Sequence, residues 1–185
     1  APWEFVLTAV PAGGSLLDIG CGPGLLAHLL ADAGWSGSYR GIDVDARKIE
    51  RARVWPGETD RRGFQTPALQ DVRETFTSAT LIDVLYLIPR PARAAFIRDA
   101  VRPLAPGGRF VVLTSGGGPR WKRLLDRAQE HAAVSLLRFT AGSVVDPCDG
   151  NEVAGYLAAA GLSEIAVTDV GGRYLHGFEL ITGRR

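Results

Sequence analysis

The sequence predicts an α/β fold, a doubly wound and mostly parallel sheet with helices on both faces. Three observations carry that reading. Short apolar runs alternate with amphipathic stretches along most of the chain, the pattern of successive strand–helix–strand units. One run, Leu16-Leu17-Asp18-Ile19, enters the glycine-dense turn Gly20-Cys21-Gly22-Pro23-Gly24 and then a helix start at Leu25. Near the C-terminus the alternation breaks, and two strand-like runs, 165–170 and 174–181, are separated only by Gly171-Gly172-Arg173. A connection that short permits an antiparallel hairpin and forbids a parallel crossover.

The elements follow in order. The first strand is expected at 15–19 and its helix at 25–33, closed by Gly34. A second strand over 39–42 precedes a polar helix at 46–54, and a third strand is placed at 66–69. The fourth strand is placed at 79–82. Pro91 suits the first position of the next helix, in which Phe96, Ile97, Ala100 and Val101 form an apolar stripe at helical spacing. Pro106-Gly107-Gly108 is a sharp stop before a fifth strand at 110–113. After it, Ser115-Gly116-Gly117-Gly118-Pro119 reads as a hinge, because glycine absorbs the dihedral changes a lid needs. The segment 119–147 is therefore expected to be a helical lid inserted after strand five. In it Trp121, Leu124, Leu125 and Ala128 share one face, and Arg120, Lys122, Arg123 and Arg127 cover the others. An alanine-rich helix at 152–160, with Gly161 as its cap, packs back on the sheet.

Bulk properties bound the function. At 185 residues, a single domain over 1–185 with a substantial core is expected. The charges nearly cancel, 21 basic against 20 acidic, so no strong field favours a nucleic-acid partner. Two cysteines, Cys21 and Cys148, make a disulfide framework implausible, and no metal site is expected. No apolar run reaches the ~18 residues of a membrane span and no signal peptide is visible, so a cytoplasmic protein is expected.

The glycine turn carries the chemistry. Gly20, Gly22 and Gly24 remove side chains from one edge, so a ligand can lie against the backbone. The free N–H groups and positive dipole at the N-terminus of the next helix would favour an anionic or electron-rich group there. A dinucleotide-binding turn places its third glycine where Leu25 stands, so that spacing fails. Asp18, just before the turn, would repel a pyrophosphate and attract a cationic ligand.

The pattern Asp-x-Gly-x-Gly-x-Gly at 18–24 resembles the first motif of class I S-adenosylmethionine-dependent methyltransferases. The run Leu104-Ala105-Pro106-Gly107-Gly108-Arg109 resembles the family's turn before strand five. The resemblance implies a Rossmann-like, seven-stranded sheet with an antiparallel strand last. It also implies S-adenosylmethionine as the cofactor and S-adenosylhomocysteine as its product. Members of the family usually carry a longer N-terminal segment over the active site than the stretch before position 15, so a minimal or a shortened chain is expected.

On that reading Asp18, Gly20, Cys21, Gly22 and Gly24 line the cofactor. Asp43, at the end of strand two, can accept two hydrogen bonds from a ribose diol. Its alternative role, helix N-cap, is filled at least as well by Asp45. Val44 would be an apolar wall for the adenine. Asp71-Val72 resembles the family position whose acid accepts the adenine amino group. Asp83 interrupts an apolar stretch at the end of strand four, and a buried carboxylate needs a partner. A cationic methionine moiety or a substrate hydroxyl would serve, as would nearby backbone N–H groups.

Methyl transfer from a sulfonium is an in-line displacement with a good leaving group, so alignment and exclusion of water supply most of the catalysis. An oxygen acceptor would also benefit from a base, for which Asp83, Tyr86 and His131 are the candidates. His28 and His176 are expected to be structural or remote. Tyr86 and Trp121 are candidate substrate contacts. A small or lipid-like acceptor is expected, with oxygen favoured. The basic amphipathic stretch 119–140 also suits peripheral contact with an anionic membrane. Three rivals remain: an RNA methyltransferase, a protein methyltransferase, and a nucleoside-binding regulatory protein without chemistry. An oxidoreductase is disfavoured by the glycine spacing. The assembly is expected to be a monomer or homodimer.

Overall fold

The computed structural model describes residues 1–115, 146–172, 174 and 177–185. A seven-stranded sheet forms the centre: β1 (Ser15–Ile19), β2 (Ser38–Ile42), β3 (Arg62–Gln65), β4 (Phe76–Ile82), β5 (Leu104–Ser115), β6 (Ser163–Asp169) and β7 (Phe178–Arg184). Their spatial order is β3-β2-β1-β4-β5-β7-β6. The β1–β2, β1–β4, β2–β3 and β4–β5 pairs are parallel, whereas β7 runs antiparallel to both β5 and β6.

Helices cover both faces, and period-two alternation along the strands sorts the core between them. Leu17, Ile19, Ala79, Leu81, Phe110 and Val112 pack with α4 (Arg90–Val101) and α5 (Gly150–Ala159). Leu16, Val111 and Leu113 pack with α1 (Trp3–Ala9), α2 (Leu25–Asp32) and α3 (Ala46–Ala52). Consecutive residues Phe110–Leu113 are all buried because both sheet faces are covered, which makes the central strands read as unbroken apolar runs. Each such side chain contributes about 1.5–3 kcal/mol on burial.

Several expectations need correction. The third strand lies at Arg62–Gln65 rather than 66–69. Pro67 has no N–H for a ladder, and this edge strand needs only one buried side chain, Phe64. The residues expected to be strand form a loop and a 3-10 turn at Leu69–Asp71. The helix expected to reach 54 ends at Ala52 and runs into an irregular turn, Arg53–Gly57, that contains Pro56. The stop at Pro106-Gly107-Gly108 is a bulge inside β5, where the register against β4 shifts between Phe76 and Ser78.

The C-terminal hairpin is antiparallel, but its connection is longer than three residues. The chain turns back at Gly171, and a Cβ there would lie 2.5 Å from the Phe178 nitrogen. Tyr174 belongs to the connection and stacks edge-on against Phe178 at 5.6 Å, so β7 starts only at Phe178. Asp149 caps α5 by accepting from the Glu152 N–H at 2.9 Å. The expected lid, with Trp121 and His131, lies outside the described residues except for Asp146 and Pro147, as does His176.

Candidate active site

Strand order reverses between β1 and β4, which opens a crevice beyond their carboxyl ends. The turn 20–24, Asp43 and Asp83 follow β1, β2 and β4 at that one edge.

All three turn glycines are left-handed, with φ of 74° at Gly20, 56° at Gly22 and 87° at Gly24. The reasons differ. A Cβ at Gly24 would meet Pro56 Cδ at 2.6 Å, and one at Gly20 would meet Val84 Cγ2 at 2.3 Å. Those two positions are bare so that protein can approach. A Cβ at Gly22 would have no described atom within 4 Å, so that side of the turn has room for a ligand. The turn's own N–H groups are taken within the protein. Gly20 and Cys21 donate to the Ile42 carbonyl at 2.8 and 3.0 Å, and Gly24 donates to the Cys21 carbonyl at 3.1 Å. What remains for a ligand is the first turn of α2, whose N-cap Gly24 brings no capping side chain. Cys21 is buried, and burial pushes its thiol up, so it is a small filler against Gly41 rather than a nucleophile.

Asp43 is locked by backbone. Its Oδ2 accepts from the Gly22 N–H and its Oδ1 from the Asp45 N–H, both at 2.9 Å. Each oxygen keeps a second acceptor position, so the carboxylate is oriented yet can still take two donors from a diol. The N-cap role falls to Asp45, which accepts from the Arg47 N–H at 3.0 Å. Val44 beside it is 90% exposed.

Asp18 departs from the expected contact with a cationic ligand. It is 2% exposed, and its oxygens accept from the Tyr39 hydroxyl at 2.6 Å and the Thr80 hydroxyl at 2.7 Å. Asp18 pairs in register with Thr80, so this carboxylate stitches β2, β1 and β4 together beneath the turn. Burial lifts its pKa to about 6, against the opposing effect of the two hydroxyl donors.

Asp83 is the opposite case. It lies just past β4 at φ 52°, a left-handed conformation that few side chains adopt. Its N–H is held by the Leu113 carbonyl at 3.0 Å. Its Oδ1 is buried and has no hydrogen-bond partner among the described residues. Burial raises its pKa above the ordinary carboxylate value. Tyr86 follows in the 3-10 turn Leu85–Leu87, half-buried, with its carbonyl accepting from the Asp146 N–H at 3.1 Å. Asp71 is exposed at the end of its 3-10 turn beyond β3. Val72 beside it is buried in the core with α4, so it is a packing residue first. His28 stacks on Trp55 at a centroid distance of 4.4 Å and lies 3.2 Å from Asp32, which is a structural role. Among the described residues no group of three or more His, Cys, Asp or Glu is arranged to hold a metal ion, and no helix is long and apolar enough to cross a membrane.

Sequence reasoning missed Tyr39 and Thr80 as partners of Asp18, Pro56 against the turn, and the fully buried Arg93. Arg93 had a signal. It stands four before Ile97 on the buried stripe of α4, where an apolar residue belongs.

A family model described as a methyltransferase domain matches residues 3–165. The chain is 31% identical over 172 residues to the ubiquinone biosynthesis O-methyltransferase of Methylobacterium nodulans, covering 86% of this chain and 66% of the relative. It is 30% identical over 106 residues to the mitochondrial ubiquinone biosynthesis O-methyltransferase of Candida albicans, covering 54% of this chain and 32% of that one. The chain thus spans between about a third and two thirds of the length of these curated relatives. A crystal structure of an S-adenosylmethionine-dependent methyltransferase from Mesorhizobium loti superposes with a TM-score of 0.73 at 20% identity, covering 100% of this chain and 98% of that chain. A magnesium protoporphyrin IX methyltransferase from Synechocystis with bound S-adenosylhomocysteine superposes with a TM-score of 0.69 at 16% identity, over 100% of this chain and 80% of that one. At these identities the two structures speak for the fold.

Proposed function

This chain belongs to the class I S-adenosylmethionine-dependent methyltransferase family, and we propose that it methylates an oxygen of a small or lipid-like acceptor. The family's donor, S-adenosylmethionine, supplies a methyl group on a sulfonium that leaves as a neutral thioether. The residues present suit such a ligand. The open side of Gly22 admits it without a clash, and the uncapped first turn of α2 offers N–H groups to its carboxylate. Asp43, already oriented by two backbone N–H groups, takes the ribose diol with its remaining acceptor positions. Val44 and Asp71 border the adenine. Asp18 acts from below, by tying the strands that carry the turn.

The observation that carries the acceptor assignment is the buried, unpartnered Oδ1 of Asp83 at the strand-order reversal. A buried carboxylate oxygen that finds no donor among the described residues can be completed by one from a ligand, and a hydroxyl is such a donor. With its pKa raised by burial, Asp83 is better matched to take the hydroxyl proton as the new C–O bond forms. The negative charge also favours the sulfonium alongside. The names of the relatives, ubiquinone biosynthesis O-methyltransferases, favour oxygen as well.

The direct test is transfer of label from methyl-tritiated S-adenosylmethionine to a panel of catechols, prenylated phenols, short RNA and unmodified protein. Label in a phenolic ether, abolished by unlabelled S-adenosylhomocysteine, is the expected result. Label confined to RNA or protein would overturn the acceptor, and no binding of S-adenosylmethionine by calorimetry would overturn the activity. Asp43→Ala should weaken that binding by about 1–3 kcal/mol.

A further inference from the structure

The loop that carries Asp83 is held by a buried arginine. Arg93 on α4 has no exposed side-chain surface. Its Nε donates to the Ile88 carbonyl at 3.0 Å, at the far end of the loop 83–88. One terminal nitrogen donates to the Asp146 carbonyl, and the Asp146 N–H in turn donates to the Tyr86 carbonyl at 3.1 Å, in the middle of the same loop. The other terminal nitrogen reaches Glu152 Oε1 on α5 at 3.4 Å, and Tyr156 donates its hydroxyl to that oxygen at 2.8 Å. Arg90 adds a second cation on Glu152 at 2.9 Å.

A buried cation costs several kcal/mol unless its donors are satisfied. Here the planar fork is divided among two carbonyls of different segments and two carboxylates, Glu152 at 3.4 Å and Asp146 at 3.5 Å. Such a fork fixes relative positions as a lysine ammonium cannot. Among the described residues the loop is moored at Asp83 on β5 through Leu113, at Tyr86 on Asp146, and at Ile88 on Arg93. Arg93 serves the last directly and the second through the Asp146 peptide.

We propose that Arg93 is a positioning residue for methyl transfer: through Ile88 and Asp146 it sets where the 83–88 loop presents the Asp83 carboxylate. This rests on the reading of Asp83 as the carboxylate beside the transferring methyl group. S-adenosylmethionine carries a sulfonium charge there and S-adenosylhomocysteine does not, so the ratio of their affinities reports the carboxylate without any acceptor. A defect that merely loosens the fold weakens both ligands alike and leaves the ratio unchanged.

The experiment measures both affinities by calorimetry for the wild type, Asp83→Asn, Arg93→Lys and the double variant, with amide exchange on each. Asp83→Asn should lower the preference for S-adenosylmethionine by about fivefold. Arg93→Lys should lower it by a similar factor, the double variant no further, because the second change acts through the first. Exchange in Arg93→Lys should rise at Leu87, Ile88 and Asp146 while the β4 and β5 amides stay protected. An unchanged ratio in Arg93→Lys beside a changed one in Asp83→Asn would overturn the proposal. So would effects that multiply in the double variant, or exchange that rises across the whole sheet. An unchanged ratio in Asp83→Asn itself would overturn the reading of Asp83, and the positioning role with it. Should Arg93→Lys fail to fold, Glu152→Gln retains Arg93 and reduces one of its ion pairs to a neutral hydrogen bond. The same pattern at smaller amplitude is then expected, and its absence counts against the proposal.

Discussion

Asp18 lies one residue inside the end of β1, and Asp83 lies one residue beyond the end of β4. That difference of position gives two carboxylates opposite circumstances. Inside the ladder, Asp18 has Thr80 opposite it and Tyr39 on the next strand, and both hydroxyls donate to it. Past the ladder, Asp83 sits in a left-handed turn and one of its oxygens has no donor. Burial raises both pKa values. What separates a carboxylate that holds the fold from one available to a ligand is therefore the supply of donors together with exposure, Asp18 being 2% exposed and Asp83 half-buried.

The largest effect that could break this contrast is at Asp18. Asp18→Ala strands two buried hydroxyls and should cost about 3–4 kcal/mol in urea unfolding, while the folded fraction keeps its S-adenosylmethionine affinity within about threefold. A collapse of affinity without a loss of stability would return Asp18 to the ligand.

The pH dependence comes next. Because the folded pKa of Asp18 is raised to about 6, the folded chain binds this proton more tightly than the unfolded one. Its stabilising contribution is complete below about pH 4 and is lost as pH rises through about 6, a change of about 2–3 kcal/mol. Asp18→Asn should flatten that segment of the stability profile, measured by urea unfolding from pH 4 to 8.

Asp83 should behave in the reverse sense. Asp83→Asn removes a buried charge that lacks a full set of donors, so stability at neutral pH should hold or rise by up to about 1 kcal/mol. A clear loss of stability would mean that the fold, rather than a ligand, uses this carboxylate. The smallest effect belongs to exposed Asp71, whose replacement by Ala should change stability by under about 0.5 kcal/mol. Only the affinity for the adenosine end of the cofactor should respond.

Much of the architecture was legible in the residues. β1 and the start of α2 fall where the apolar run and the glycine turn place them, and the antiparallel C-terminal strands follow from their short separation. The third strand was not legible. An edge strand with a single buried side chain, Phe64, has almost no periodic signal, and the more apolar stretch beside it contains Pro67. In the site, Asp43 stands at the end of β2 as its spacing requires, whereas Asp83, expected to have a partner because it interrupts an apolar run, has none at its Oδ1 among the described residues. Asp18 was misread because its pattern with the glycines says nothing about which donors face it across the sheet.

The sequence by itself determined the element order, the family through the glycine pattern, and the identity of the acids at the strand ends, because these are local in the chain. Only the tertiary structure decided what each acid does. Tyr39, Thr80, Asp146 and Arg93 lie twenty or more positions from the acids or loops they bond, or on a different element. Hydrogen-bond satisfaction is a property of neighbours in space, and strand pairing and helix packing bring those neighbours together.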